Sequence, residues 1–319
     1  MSDELFDLDV AVHVNGYEWV EAVYEEHPNS NPQPFLVPRE LFGDERHYNP
    51  LIEATGLFRE FSELDMSKEA ILAFANEYGG MRERNQILRP GYGPGDSRAR
   101  TPGDTMGGWC ESIGYMKLAV RLWDMVRTDD LDGLSRYISW SSQGHLVFDS
   151  HPDLPVGQEA PWFSWRGLDE TTLCLKRKPS DLVQSARAVI ALCVECNMGR
   201  NASVTVRLQD ECEMQIYVSM MGLNTALWFQ FAQAVIGNRD YRQCRTCGRW
   251  YELHPDTART NRLSCSDACR SKAYRQRKAE ARRLFTEGIA VDEIARRLGT
   301  EPNTAHAWIS SRCRGAGAK

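Results

Sequence analysis

Residues 244–269 have the sequence CRTCGRWYELHPDTARTNRLSCSDAC, with a close pair of cysteines at either end. Two residues lie between Cys244 and Cys247, three lie between Cys265 and Cys269, and 17 residues separate the two pairs. Such pairs supply the four soft sulfur ligands of a tetrahedral metal ion, and four thiolates leave no coordination position open for catalysis. The spacing therefore predicts one structural Zn²⁺ ion bound by these four cysteines. The alternative is four reduced thiols that are buried without a metal.

The residues around the cysteines predict the local fold of residues 241–283. The first pair is followed by Gly248 and then Trp250 and Tyr251, which favours a knuckle turn that leads into a hairpin strand. The second pair opens a helical stretch, where the partial positive charge of the helix N-terminus also favours thiolates. Knuckle, hairpin and helix-borne ligands predict a treble-clef-like module. So short a segment cannot bury a sufficient core, and we expect the metal to hold it folded.

Residues 291–311 predict a helix-turn-helix, with helices over 292–298 and 302–311 and a turn at Gly299. Ala295 places a small side chain where the two helices cross. The residues expected to close the core are Ile294, Leu298, Ala305, Trp308 and Ile309. If the helix that carries the second cysteine pair continues from 266 to 287, it is also the first helix of a trihelical unit over 284–319. The alternative is a plain helical hairpin that serves only for packing.

Two resemblances support a nucleic-acid function. The stretch from Cys265 onward, Cys-Ser-Asp-Ala-Cys-Arg-Ser-Lys-Ala-Tyr-Arg-Gln-Arg, resembles the finger of bacterial zinc-finger regulators of the CGNR type. That family has Cys-Gly-Asn-Arg at the last ligand, whereas this chain has Cys269-Arg270-Ser271-Lys272. The resemblance implies a DNA-binding finger that follows a larger N-terminal domain.

The second resemblance concerns Glu-Ile-Ala-Arg-Arg-Leu-Gly-Thr-Glu-Pro-Asn-Thr at residues 293–304, which is similar to the helix-turn-helix of bacterial repressors and resolvase-like proteins. In such motifs the second helix enters the major groove with its N-terminal residues on base edges. The resemblance implies that Asn303, Thr304, His306 and Ala307 face the bases.

The charge of the chain is divided unevenly. Residues 241–319 contain 17 Lys and Arg against 8 Asp and Glu, a balance of +9, and the remaining residues carry −15 of the overall −6. The helical stretch is rich in basic residues, namely Arg270, Lys272, Arg275, Arg277, Lys278, Arg282 and Arg283. A run of charge is usually a solvated helix face, but this run lies between two modules of the nucleic-acid-binding kind. We therefore predict that it contacts phosphates.

Residues 1–240 predict an acidic α+β body. A helix is expected over 68–78 with Ser67 as its N-cap, and another is expected from Ser180 to about Met198. The alternating gaps of four and three between apolar residues predict one face of a further helix, formed by Trp109, Ile113, Met116, Val120 and Trp123. Alternating patterns over 204–208 and 214–218 predict a hairpin, and the glycines and prolines of 89–105 predict a mobile surface loop.

The pattern as a whole predicts a bacterial transcriptional regulator that binds double-stranded DNA. No arrangement of residues indicates a catalytic set, so we expect a protein that is not an enzyme. The expected location is the cytoplasm, because the acidic N-terminus lacks the basic start and apolar core of a signal peptide. The body is expected to receive an effector, either a small molecule or a protein. Whether the chain forms a homodimer is left open. The alternatives are an enzyme targeted to nucleic acid with its chemistry in the body, and a phage-related protein-interaction adaptor.

Overall fold

The computed structural model describes residues 6–7, 10–81, 86–88, 100–140, 142, 146–148, 181–198, 202–209, 213–220, 222–253 and 262–310. These residues contain both helices and strands, so the protein is of the α+β class, as predicted. The chain divides into two compact units, Met1–Arg239 and Asp240–Lys319. We call the first the body and the second the tail. None of the described helices has both the length and the apolar composition that crossing a bilayer requires.

The strands of the body are short. In chain order they are β1 (Phe6–Asp7), β2 (Val10–His13), β3 (Tyr17–Tyr24), β4 (Gln33–Pro38), β5 (Glu45–Tyr48), β6 (Gln86–Leu88), β7 (Arg100–Pro102), β8 (Asp104–Thr105), β9 (Ile138–Trp140), β10 (Leu146–Phe148), β11 (Ala202–Gln209) and β12 (Glu213–Met220). The largest sheet has the order β7-β6-β3-β4-β8 and is antiparallel throughout. Its inner face buries Ala22, Phe35, Val37 and Ile87.

Three smaller sheets complete the strand pairing described for the body. β2 pairs with β5 and β9 pairs with β10, both antiparallel. β11 and β12 form the predicted antiparallel hairpin, and β1 lies parallel to β12.

The helices of the body are α1 (Pro50–Glu53), α2 (Leu57–Ser62), α3 (Lys68–Tyr78), α4 (Met106–Thr128), α5 (Leu131–Ser135), α6 (Leu182–Met198) and α7 (Gly222–Ile236). α4 is the central helix, because α2, α5, α6 and α7 all pack against it. Its predicted apolar stripe is confirmed, since Trp109, Ile113, Met116, Val120 and Trp123 are all buried.

The prediction for α3 is confirmed at both ends. The Ser67 side chain accepts a hydrogen bond from the Ala70 amide at 3.4 Å, which caps the first turn. Gly79 ends the helix with φ at +97°, a conformation that favours glycine. A β-carbon at that position would lie 2.8 Å from the Ala11 carbonyl oxygen, so the close approach of β2 also requires glycine.

Two predictions for the body need correction. The mobile loop expected over 89–105 is wrong for 100–105, where the chain forms β7 and β8 and buries Thr101 and Asp104. Asp104 Oδ2 accepts a hydrogen bond from the Met81 amide at 2.7 Å, an interaction between segments that local composition does not encode. Residues 89–99 lie outside the described residues. Ser180, predicted to cap α6, also lies outside them, and the Asp181 carboxylate accepts the Gln184 amide at 2.9 Å instead.

The tail consists of one hairpin and three helices among its described residues. These are β13 (Asp240–Gln243), β14 (Trp250–Leu253), α8 (Asp267–Thr286), α9 (Val291–Leu298) and α10 (Pro302–Ser310). α8 is one continuous helix, so a boundary between residues 283 and 284 falls inside it. Its 20 residues extend over roughly 30 Å.

The three helices of the tail pack pairwise on a small apolar core. The buried residues are Ala281, Leu284, Ile294, Ala295, Ala305 and Trp308, with Leu298 and Ile309 partly buried. The sequence had indicated most of this set but not the contribution of α8. The Trp308 indole N–H donates to the Tyr274 hydroxyl at 3.0 Å, which ties α10 to the middle of α8.

A glycine turn sets the angle between α9 and α10. Gly299 has φ at +59°, and the amide of Thr300 donates to the Ala295 carbonyl at 2.9 Å. In this common helix ending, a residue in the left-handed conformation turns the chain so that the following amides donate to the last carbonyls of the helix. Glycine is favoured at that position because it has no β-carbon. The turn therefore lies at the predicted position.

Candidate metal centre and nucleic-acid interface

The four predicted cysteines come together at one point of the tail. Their Sγ atoms all lie within 4.8 Å of one another. The Cys247–Cys265 separation is 3.6 Å and the Cys265–Cys269 separation is 3.5 Å. A tetrahedral ion with metal–sulfur bonds of about 2.3 Å sets its ligands about 3.8 Å apart, so the four thiols are arranged to bind one metal ion.

A tight turn after β13 positions the first pair. The Gly248 amide donates to the Cys244 carbonyl at 2.8 Å, and the Cys244 amide donates to the Arg249 carbonyl at 2.9 Å. Gly248 has φ at +78°, so the turn needs a residue that tolerates the left-handed region. The chain then returns as β14, with Trp250 opposite Gln243.

The N-terminus of α8 positions the second pair. The Ser266 hydroxyl accepts a hydrogen bond from the Cys269 amide at 3.2 Å, so Ser266 caps the helix. Thr246, inside the knuckle, donates its hydroxyl to the Cys269 carbonyl at 3.3 Å. The Arg245 amide donates to the Leu263 carbonyl at 3.1 Å. Hydrogen bonds within the protein thus join the knuckle, which carries the first cysteine pair, to the segment that carries the second pair.

Arg262 supports the site and was not predicted from the sequence. Its guanidinium donates to the carbonyls of Ser264, at 2.8 Å, and Cys265. Its own carbonyl accepts the Tyr251 hydroxyl at 2.7 Å, and its guanidinium lies 5.3 Å from the centre of the Tyr251 ring. Arg262 therefore fixes the segment that leads into Cys265. A lone arginine in a polar loop gives no sequence signal for this role.

The protonation of the four thiols is linked. Burial raises the pKa of Cys244, but the amides of Cys265, Thr246 and Cys247 outweigh it and lower that pKa to about 6. Burial, together with hydrogen bonds to Cys269 and Cys247, raises the pKa of Cys265 to about 12. The Cys244 thiolate thus forms readily, while the Cys247 and Cys265 thiols, whose pKa values are raised mainly by burial, keep their protons. A bound cation reverses this preference, so metal binding should release protons.

A further cysteine pair, Cys193 and Cys196 in α6, has the same two-residue spacing as the first pair. Burial raises the pKa of Cys193 to about 12, which is the behaviour of a core thiol. Within the described ranges, the four tail cysteines are the only group of three or more His, Cys, Asp or Glu residues with the separations that suit a metal ion.

The predicted phosphate-contacting residues of α8 fall into two groups. Lys272, Arg275 and Arg277 are exposed and Lys278 is half-buried, and none of the four has an acidic partner among the described residues. The other three have intramolecular partners: Arg270 pairs with Asp267, Arg283 pairs with Glu280 and Glu287, and Arg282 Nε donates to the Trp308 carbonyl at 2.9 Å.

The predicted base-contacting residues lie between positions 303 and 307 of α10. Asn303, His306 and Ala307 are exposed, whereas Thr304 is half-buried. The Thr304 amide donates to the Glu301 carbonyl at 2.9 Å, and His306 Nδ1 lies 3.4 Å from the Ser310 hydroxyl. The structure thus presents three of the four side chains at the surface, on the helix that follows the Gly299 turn.

Comparison of the chain with known protein families, with curated protein sequences and with solved structures gives no match.

Proposed function

We propose that this chain is a DNA-binding protein, a bacterial transcriptional regulator whose tail combines a structural zinc module with a helix-turn-helix. The observation that supports this proposal is that α8 belongs to both the metal site and the trihelical core. This helix carries Cys269 near its start and buries Ala281 and Leu284 in the trihelical core near its end. One rigid element therefore fixes the distance and orientation between the metal site and α10.

The proposed metal is Zn²⁺. Four sulfur ligands at tetrahedral spacing suit zinc, and such closed sites are structural. The ion would supply positive charge and cross-link the knuckle to the start of α8, while Ser266, Thr246 and Arg262 orient the ligand-bearing segments. Among the described residues of 240–266 only Cys244, Tyr251 and Glu252 are buried, so the free energy of metal binding would be folding energy for this part of the tail.

We propose that α10 is the helix that inserts into the major groove of duplex DNA. α9, the Gly299 turn and α10 follow one another as in a helix-turn-helix, in which the second helix presents its N-terminal side chains to base edges. Asn303 can form two hydrogen bonds with an adenine, and His306 lies on the following turn. Thr304 is half-buried, so we assign it to the support of this surface.

The exposed basic residues of α8 would contact the phosphates. Lys272, Arg275 and Arg277 have no acidic partner among the described residues, so their charges are not neutralised by a described neighbour. Arg283, with Glu280 and Glu287 beside it, would contribute little. Arg282 would act indirectly, because it binds the carbonyl of Trp308 and so holds α10.

The decisive experiment separates sequence recognition from phosphate contact. A preferred duplex is first selected from random DNA with the full chain. Asn303→Ala is then titrated against that duplex and against a scrambled one. We expect a loss of about 1–3 kcal/mol at the preferred site and little change on the scrambled duplex. Equal weakening on both duplexes would mean that α10 does not recognise the sequence.

Arg275→Ala and Arg277→Ala test the phosphate contacts, and Arg283→Ala is the matched control. The first two variants should weaken binding to both duplexes alike and reduce the slope of log K against log salt by about one unit per lost contact. Arg283→Ala removes the same formal charge from an ion-paired position and should leave the slope nearly unchanged.

The two alternatives predict other outcomes. An enzyme targeted to nucleic acid would convert or cleave its substrate, and a nuclease assay with Mg²⁺ tests this directly. An adaptor whose tail binds a protein would show no steep salt dependence of DNA retention. The body is proposed to receive the effector that controls the tail.

A further inference from the structure

We propose that the hairpin of the tail carries a second nucleic-acid site, a groove that binds an unpaired base and its phosphate in single-stranded DNA. The groove has a volume of about 580 Å³, within the range of about 300–1,000 Å³ that is typical of small-molecule sites. The described residues that line it are Tyr241, Arg242, Gln243, Arg245, Trp250 and Leu263. This site lies outside α8 and α10, and its assignment to DNA depends on the proposed function of the tail.

The pairing of β13 and β14 explains which side chains meet in the groove. Gln243 lies opposite Trp250 in the ladder, and Tyr241 is two residues before Gln243. Side chains two apart in a strand, and those directly opposite, project from the same face of a sheet. Tyr241, Gln243 and Trp250 therefore share one face. Arg242 and Tyr251, opposite each other in the ladder, project from the other face, where the Arg262 carbonyl accepts a hydrogen bond from each of them.

The chemistry of this face matches the parts of a nucleotide. The half-buried rings of Tyr241 and Trp250 offer flat surfaces for stacking, and the Gln243 amide offers both a donor and an acceptor to a base edge. Arg245 is exposed and supplies the positive charge for a phosphate. Aromatic surfaces beside a cation are the recurring composition of single-strand sites, because every base has a face that can stack.

Charge favours an anionic ligand over a neutral one, and the composition of the lining favours a nucleic acid over an acidic peptide. None of the six lining residues is acidic. Glu252 lies on the same face of the hairpin, but its side chain is buried and does not line the groove. A peptide that binds through apolar side chains would need a deep apolar pocket, whereas Leu263 is the one aliphatic side chain among the described lining residues.

The strand must be unpaired at this point. In a duplex both faces of each base are covered by its neighbours, so neither ring of the groove could stack on one. The duplex surfaces proposed for α8 and α10 use charge and base edges instead. We therefore assign the groove to single-stranded DNA next to, or opened within, the bound duplex.

The metal site supports this groove. Arg245 lies between Cys244 and Cys247, and its amide holds Leu263 through a hydrogen bond of 3.1 Å. Arg245 is therefore held by the knuckle, and Leu263 is held by the segment that leads to Cys265. Loss of the metal should open the groove as well as the cysteine cluster.

The test uses the full metal-loaded chain and a fluorescent 15-mer of dT, with fluorescence anisotropy as the measurement. Trp250→Ala should weaken binding of this strand by about 10-fold or more, since loss of one stacking contact has an effect of this order. Trp250→Phe keeps a ring and should recover most of the affinity. Arg245→Ala should weaken binding several-fold with a smaller salt slope. Arg296→Ala, which changes an exposed arginine of α9 that pairs with Glu293 outside the groove, is the matched control and should bind the dT strand like the unmodified chain.

Metal content is measured for every variant, so that unfolding of the hairpin is recognised. If Trp250→Ala loses metal, Arg245→Ala decides the result, because its side chain is exposed and its amide is unchanged. Normal dT binding by a metal-loaded Arg245→Ala or Trp250→Ala variant would overturn the proposal. So would binding of free dTMP as tight as that of the strand, a preference for the matching RNA 15-mer, or binding of an acidic peptide in its place.

The two proposals fail differently. A chain that selects a duplex sequence but does not bind the dT strand retains the proposed function and loses this second site. A chain that binds the dT strand through Trp250 but selects no duplex retains the groove and loses the regulator function.

Discussion

Some single residues in this protein have structural roles that cannot be predicted from the residue type. Gln230 interrupts the apolar run of α7, yet it is buried, and its amide nitrogen donates to the carbonyls of Pro50 at 2.6 Å and Ala54 at 2.9 Å. Its amide oxygen accepts the Phe58 amide at 3.3 Å. One side chain thus satisfies the backbone at the end of α1 and the start of α2. Arg282 likewise belongs to a basic run but holds α10.

Replacing Gln230 tests this role in the body. Gln230→Leu has nearly the same volume but removes these three hydrogen bonds, while the Pro50 and Ala54 carbonyls keep the backbone amides of Ala54 and Leu57 as donors. We expect the free energy of unfolding of the body to fall by about 2–4 kcal/mol, since each of the three lost hydrogen bonds contributes about 0.5–1.5 kcal/mol. Urea unfolding measures it. Gln233→Leu, half-buried on the same helix, is the control and should change stability by less than about 1 kcal/mol.

Replacing one ligand tests the metal centre. Cys244→Ser or Cys269→Ser should lose the metal and unfold the hairpin of the tail, because binding energy on the order of 10 kcal/mol is lost. Inductively coupled plasma mass spectrometry should find about one zinc per unmodified chain and far less in these variants. Cys196→Ser changes an exposed cysteine of the body and should keep the metal. A reduced, intact chain without any metal would contradict the assignment.

At the scale of elements, α8 connects the two parts of the tail. Most of its 20 residues are polar, and Ala281 and Leu284 are the only residues of the helix that are buried. A helix with so little apolar surface is marginal alone, so its stability must come from its two ends. The Ser266 cap and the cysteine cluster stabilise one end. The packing of α9 and α10 stabilises the other.

Removing the Trp308 side chain tests the second end. Trp308→Ala creates a cavity in the trihelical core and removes the hydrogen bond to Tyr274, so it should destabilise this part of the tail by about 3–5 kcal/mol. Hydrogen–deuterium exchange of peptides from α8, α9 and α10 should become faster, while the body is unchanged. Phe285→Ala removes a side chain that is 49% exposed and should have little effect. Equal protection of the two variants would show that Trp308 does not hold the helices together.

At the scale of the whole molecule, the chain separates two charges into two compact units. The basic residues that we propose for nucleic acid lie in Asp240–Lys319, and the acidic excess lies in Met1–Arg239. An acidic unit repels phosphate, whereas a basic one attracts it. This separation of charge is the basis for the division of labour that we propose between the two units.

Separate expression of the two units tests this division. Residues 240–319 should retard duplex DNA with an affinity that falls steeply as salt rises, and residues 1–239 should not retard it. A strong chelator should abolish binding by the tail fragment and leave the thermal transition of the body in place. Comparable DNA binding by the two fragments would refute the assignment of this activity to the tail.

How much the sequence determined depends on how local each feature is. Cysteine spacing indicated the four residues that meet, serine and glycine indicated the ends of α3 and the turn at Gly299, and the apolar period indicated the buried face of α4. These signals depend on hydrogen bonds within a few residues or on a fixed helical period, so a linear pattern carries them. The charge of α8 was likewise visible from composition.

Tertiary structure alone decided the features that join distant segments. β7 and β8 form where composition predicted a loop, because Asp104 binds the Met81 amide and their neighbours are strands from elsewhere in the chain. Arg262, Arg282 and Gln230 acquire partners that local sequence does not specify, and the hairpin groove arises from strand pairing. Such contacts depend on which backbone groups folding brings within hydrogen-bond distance of one another. Local sequence patterns do not indicate which distant segments will become neighbours.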